Sequence, residues 1–257
     1  MPGTRIKKEE THSMNPTAAV IIIGNEILSG RTEDTNISHI ARRLSDVGIA
    51  LIECRVVRDR EDEIIEAVNA LRTKYSYVFT TGGIGPTHDD ITIPSLAKAF
   101  GVAVERNIQV ESKLREHYAS RTNASNLRMA DFPAGASVVW HGEQFAPGCI
   151  MENVIVLAGL PRVMHIMLEA ALPMLQHGQP THTRQVDVWA YESQIAEGLE
   201  TVQNQFPNLD IGSYPYKIDG RVGTALVARG TNAAEVEAAF DAISDMLANV
   251  GAEVRAA

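Results

Sequence analysis

The segment AAVIIIG, Ala18 to Gly24, stays apolar without alternation until a glycine stops it. A strand with one wet face alternates, so an unbroken run suits a strand buried on both faces, as in parallel sheets covered by helices on each side. IALIECRVV (Ile49 to Val57) and YSYVFTT (Tyr75 to Thr81) read as further strands. Before the first of these, Ile37, Ile40, Ala41, Leu44 and Val47 recur at helical spacing, with Asp34 or Thr35 as cap and Gly48 as stop. Before the second, Ile64, Ile65, Val68 and Leu71 mark a helix from Glu61 to Lys74. Strand and helix alternating at this spacing predict right-handed βαβ units and a three-layer, mostly parallel α/β sheet.

IPSLAKAFG opens another helix that tolerates Pro94 in its first turn. A polar, helical and irregular region from Arg106 to Ala130 is expected next, then short strands in ASVVW and VIVLAG and a closing helix after Pro161. QHGQPTHT, Gln176 to Thr183, breaks the composition and marks a boundary. The expected organisation is a disordered tail over 1–17, with Met14 a candidate natural start, a main domain over 18–178, and a second, smaller α+β domain over 183–254. That smaller domain reads as split βαβ: a strand from Gln185 to Tyr191, a helix from Ser193 to Phe206, strands near Ile211 and Ala225, and a helix from Ala233 to Val250. Asp219-Gly220 suits a hairpin turn between the two later strands.

A formal charge of −9 with scattered basic residues argues against a large nucleic-acid footprint. No uncharged apolar run of about 18 residues is present to span a bilayer. MPGTRIKKEETHSMNPT lacks the apolar core of a secretory signal, and Cys54 and Cys149 form no CxxC. The expectation is a soluble cytoplasmic protein with neither a membrane nor a nucleic acid as partner.

The chemistry concentrates in TTGGIGPTHDD, Thr80 to Asp90. Gly82, Gly83 and Gly85 follow the third strand, at the carboxyl edge where open α/β sheets bind ligands. Without Cβ atoms, their amides can approach the oxygens of an anion closely. The loop is not a Walker A, since no Lys-Ser or Lys-Thr follows, and GxGxxG fails at His88. Asp89 and Asp90 would repel an anion unless a hard cation such as Mg²⁺ bridged them to it. The plainer alternative is a tight turn in which one aspartate caps the next helix. Glu26, after the first strand, and Asp59, after the second, reach the same edge, though Asp59 reads equally as a helix-start residue. Arg128 reads as an anion contact or an ordinary salt bridge. His88 is a proton shuttle or a plain exposed loop residue, and Ser213, Tyr214 and Pro215 are a site edge or a packed strand end.

GNEILSGRTEDTN, TTGGIGPTHDDIT, RMADFPAGA, APGCIMENVIVLAGLP and IGSYP occur in that order. With them, from Val20 to its end, the chain resembles the competence/damage-inducible protein A (CinA) family, whose main domain belongs to the molybdopterin-binding, MoaB/MogA-like superfamily. Its late part, with YES at Tyr191 to Ser193, is also similar to the molybdopterin-binding-like half of eukaryotic FAD synthases. The resemblance implies a ligand loop of Gly82, Gly83, Gly85, Pro86 and Thr87 and favours a site role for Asn36; Thr81, Glu26 and Arg128 join the expected ligand set. It also implies Asp90 as the functional aspartate and Asp59 as the superfamily's other acidic position; Asp89 is expected to assist, with Asp90 and Asp89 on Mg²⁺ or another divalent cation. The implied ligand is molybdopterin or another anionic pterin or nucleotide, and the implied assembly a homo-oligomer. The implied activity is metal-dependent hydrolysis of nucleotide pyrophosphates such as FAD or ADP-ribose. A non-catalytic pterin- or nucleotide-binding regulatory module and a molybdenum cofactor assembly enzyme are the alternatives. Ala158 departs from the family's LPGxP proline, and the deamidase domain of longer members has no counterpart here, so no deamidase activity is carried over.

Overall fold

The computed structural model describes residues 15–140 and 147–255, and the chain divides into two compact units between Gly178 and Gln179. The expected tail lies outside the described residues as far as Met14. Its last residues do not: Pro16 O accepts the Ala50 amide at 2.8 Å, and Thr17 opens the first strand.

The first unit runs β1 (Thr17–Ile23), α1 (Asn25–Leu28), α2 (Asn36–Asp46), β2 (Ala50–Val57), α3 (Glu61–Arg72), β3 (Tyr77–Thr81) and α4 (Thr92–Phe100). It continues with β4 (Val104–Arg106), α5 (Ile108–Tyr118), α6 (Ala124–Leu127), β5 (Asp131–Pro133), β6 (Ser137–Val139), β7 (Gly148–Met151), β8 (Val154–Leu157) and α7 (Pro161–Ala171). Six strands form one sheet in the order β2-β1-β3-β8-β7-β6, the first four parallel and β7 antiparallel to both its neighbours.

The unbroken apolar run of β1 follows from its place inside that sheet. Ala19, Ile21 and Ile23 pack with Ile64, Val68 and Leu71 of α3 and Leu96 of α4 on one face. Ala18, Val20 and Ile22 pack with Ile40 and Leu44 of α2 and Met164 and Leu168 of α7 on the other. Both faces are dry, so every position is apolar. β7 and the small β4–β5 ladder were not expected. β7 holds only four residues and opens on a glycine, and all three residues of β4 are exposed, so neither carries a period for sequence to reveal.

The second unit runs β9 (His182–Trp189), α8 (Glu192–Gln205), β10 (Asp210–Ile218), β11 (Arg221–Gly230), α9 (Ala233–Asn249) and β12 (Glu253–Val254). Its antiparallel sheet has the order β10-β11-β9-β12, and Ile195, Leu199, Ile243 and Leu247 of the two helices pack with Val188, Leu226 and Ala228 of the strands. The expected hairpin turn is present: Asp219 and Gly220 take φ of 49° and 82°, as a two-residue connection between twisted strands requires. The first strand of this unit opens three residues earlier than expected, at His182 and not Gln185.

Candidate functional site

The segment after β3 turns back on itself at two glycines that no other residue could replace without strain. Gly82 has φ 101°, and a Cβ there would strike the Ile23 carbonyl; Gly83 has φ 66°, and a Cβ there would strike Thr92 Oγ1. Thr92, at the start of α4, sets the direction of the loop. Its hydroxyl donates to Gly82 O at 2.9 Å and its amide to Gly83 O at 3.0 Å. With the carbonyls drawn toward α4, the N–H groups of Gly83, Ile84 and Gly85 donate to nothing among the described residues. All three residues line the clefts at this loop, where such amides are donors available to an anion.

Two clefts meet at this loop and share Gly83, Ile84, Gly85, Asp90 and Met129. The larger, about 470 Å³, gathers Glu26, Asp59, Gly82, Asp89 and Asp90 with the loop Ala158–Pro161 that follows β8. The smaller, about 260 Å³, has walls of Ile93, Pro94, Val104 and Phe132, with Arg128 and Asp131 as charged members. Such dimensions suit a small molecule with one polar and one apolar end.

Each carboxylate has a defined tie. Asp90 lies over Gly85, where a Cβ would come within 2.7 Å of Asp90 Oδ2, and that oxygen accepts the Thr87 amide at 2.7 Å. Thr87 Oγ1 lies 2.5 Å from both Asp89 Oδ1 and Asp90 Oδ2. A hydroxyl carries one proton, so it satisfies only one of the two and leaves the other contact to a further proton or a cation. Donation from Thr87 holds the Asp89 carboxyl below the usual carboxylate range, with Asp89's own backbone and the positive character of His88 contributing less. Asp59 Oδ2 accepts the Asn25 amide at 2.8 Å, anchoring the start of α1. Of the plainer sequence readings the tight turn is present, at Gly82 and Gly83, and the capping is not: α3 is capped at Arg60 and α4 at Ile91, and neither helix takes a side-chain cap from Asp59, Asp89 or Asp90.

Other expected residues stand outside the main cleft. Thr81 is buried at the end of β3, 1% exposed, beneath the loop and not on its surface. Asn36 is buried in the first turn of α2 and acts as a strut, its carboxamide donating to Gly159 O at 2.8 Å. Pro86 and Thr87 line a neighbouring recess with His88 and Arg128. Arg128 spends one Nη on the carbonyls of Pro86, at 2.5 Å, and Thr87, at 2.8 Å, so it braces the loop as well as facing the smaller cleft. Ser213, Tyr214 and Pro215 lie on β10 of the second unit, where Ser213 Oγ donates to Glu192 Oε1 at 2.7 Å.

Sequence reasoning put the Ala158 loop near the site but did not identify it as the far wall. Gly159 faces Gly82 so closely that a Cβ on it would sit 3.2 Å from the Gly82 Cα, which makes the loops after β3 and β8 a single surface. The signal was present, since LAGLP follows a strand reaching the same edge. Ala158, where the resemblance expects proline, donates its amide to Met167 Sδ at 3.3 Å, a contact proline could not make.

A family profile described as "Probable molybdopterin binding domain" matches residues 19–177, the whole of this α/β unit. The chain belongs to that family. A second profile, "FAD synthase, middle domain", matches 180–253, the antiparallel unit. A protein of Archaeoglobus fulgidus is 32% identical over 198 residues, 76% of this chain and 84% of that relative. One from Pyrobaculum calidifontis is 35% identical over 212 residues, 78% and 81% of the respective chains. The crystal structure of the protein CinA with unknown function from Thermoplasma acidophilum aligns with TM-score 0.58 and 32% identity, covering 63% of this chain and 99% of that one. No helix among the described residues is long and apolar enough to cross a membrane.

Proposed function

We propose that the protein binds an anionic pterin or nucleotide at the carboxyl edge of the main sheet and, with a divalent cation, hydrolyses the phosphoanhydride of a nucleotide pyrophosphate of the FAD or ADP-ribose type. One observation carries the reading: three consecutive amides, Gly83 to Gly85, that are unbonded among the described residues line a cleft with Glu26, Asp59, Asp89 and Asp90. The apolar walls of the smaller cleft give a flat heterocycle a place beside them. Family descriptions naming molybdopterin and FAD agree with such a ligand.

Among the described residues no group of three or more His, Cys, Asp or Glu is arranged to hold a metal, which argues against a dedicated cage. Mg²⁺ needs none, since it is commonly held by one or two carboxylates together with substrate phosphate. Asp89 and Asp90, crowded on one hydroxyl, fit that role. The cation would supply neutralisation of phosphoryl charge. The amides of Gly83 to Gly85 hold the phosphoryl oxygens, and Asp59, with Oδ2 fixed by Asn25, offers Oδ1 to take the proton of the attacking water. Water adds to one phosphorus, the bridging P–O bond breaks, and two phosphate monoesters leave.

Incubating the protein with FAD, ADP-ribose and NADH, each with and without Mg²⁺, Mn²⁺ or Co²⁺, tests the reading. Metal-dependent cleavage is expected, and Asp90→Asn should lower the rate about 100-fold or more while unfolding stays cooperative. Equal rates in the variant sink the assignment. A non-catalytic binding module is the second reading, favoured by the use of Asp90 Oδ2 as acceptor for the Thr87 amide within its own loop. Pterin binding without cleavage under any metal would establish it.

A further inference from the structure

β2 ends the sheet order and, among the described residues, pairs only with β1. Val57 O accepts the Gly24 amide at 3.1 Å, which turns its main chain toward β1. By the alternation of strand backbones, the main-chain groups of Cys54 and Val56 face the open edge. Natural edges are usually blunted by charge or proline; here Ile52 is 60% exposed, Val56 36%, and Cys54 is exposed between them. An irregularity in register opposite Ala18 and Ala19 twists the beginning of β2 and leaves Glu53 to Val57 regular.

We propose that a second copy of this chain occupies that edge, the two β2 strands pairing antiparallel about a two-fold axis at Cys54. The sequence selects both the occupant and the register, because IECRV is its own complement when reversed. Centred on Cys54, Glu53 opposes the partner's Arg55, Ile52 opposes the partner's Val56, and each pair occurs twice, as an isologous contact requires. Centring on Glu53 or Arg55 sets like charges face to face, and centring between residues sets a charge against an apolar side chain. Only the Cys54 register matches opposite charges and apolar groups throughout. Glu53 already accepts from Arg55 Nε at 2.8 Å, Tyr75 Oη at 2.6 Å and Lys74 Nζ at 2.9 Å, so its carboxylate is held on one face of β2 in a fixed position. The pairing joins two six-stranded sheets into one.

Sedimentation of the full chain over a wide concentration range, combined with bridging by a short bis-maleimide, tests this. A reversible dimer that cross-links at Cys54 is expected, with loss of the cross-link in Cys54→Ser, since Cys149 is fully buried. Arg55→Glu places Glu opposite Glu, and Val56→Lys puts an ammonium in the apolar row. Each should weaken the dimer about tenfold or more with its far-ultraviolet spectrum and melting midpoint retained. A monomer at every concentration, a dimer that does not bridge at Cys54, or a dimer indifferent to both variants would each overturn the proposal.

Discussion

Glycines play opposite parts in the two units. In the α/β unit the spaces left by missing Cβ atoms are taken by polar groups: the Ile23 carbonyl at Gly82, Thr92 Oγ1 at Gly83 and the Asp90 carboxylate at Gly85. In the antiparallel unit the filled spaces are taken by rings and other largely apolar side chains, Met246 at Gly198, Tyr214 at Gly212, Tyr216 at Gly223 and Leu209 at Gly230. Tyr216 meets Trp189 edge-on at 5.6 Å, and Arg221 and Arg255 lie over Trp189 and Tyr216 at 4.5 and 5.5 Å. One arrangement leaves donors open to a ligand; the other seals backbone beneath the chain's own side chains. A glycine therefore marks a binding surface only through what fills the space beside it.

Substitution of the glycines is the strongest way to break this contrast. Gly82→Ala should cost the α/β unit about 3 kcal/mol, because left-handed strain and a fixed backbone carbonyl act together, as read by urea unfolding. Next, Thr92→Val should cost about 1–2 kcal/mol, since it strands the Gly82 carbonyl in a buried setting. Anion affinity should fall with it, which isothermal titration with inorganic pyrophosphate would register. A smaller effect is expected at Thr87→Val. The Asp89 carboxyl sits below its ordinary 3.8 because Thr87 donates to it, so the contribution of that contact is present above 3.8 and is lost as pH falls through the lower folded value. A carboxyl-carbon NMR titration should show the Asp89 midpoint rising toward 3.8 in the variant. Smallest of all, Gly212→Ala should cost about 0.5 kcal/mol or less, because the Tyr214 ring beside it is 57% exposed and can swing aside. A loss there equal to that at Gly82 would remove the distinction between the units.

The elements with a full period were legible in the sequence. The alternation of β1, α2, β2, α3 and β3 follows from burial on two faces, and the glycine loop is marked by residue types that serve few other purposes. The strut at Asn36 was not legible as such, because its partner carbonyl at Gly159 lies 123 residues away and a polar side chain does not announce which backbone it will meet. Asp131 and Phe132, which face the smaller cleft, sit in a three-residue strand between irregular segments, where no hydrophobic rhythm distinguishes wall from surface. Asp59 was ambiguous for another reason. A carboxylate after a strand can serve the following helix or a neighbouring one, and here it serves α1, reached only through the sheet.

The hold of Thr92 on the carbonyls of Gly82 and Gly83 has a thermodynamic consequence for recognition. Donors aimed during folding surrender little additional freedom when an anion arrives, so association should draw on enthalpy with a small entropic penalty and proceed without a slow rearrangement of the loop. The same rigidity makes the site intolerant of ligands whose oxygens are spaced differently from the three amides.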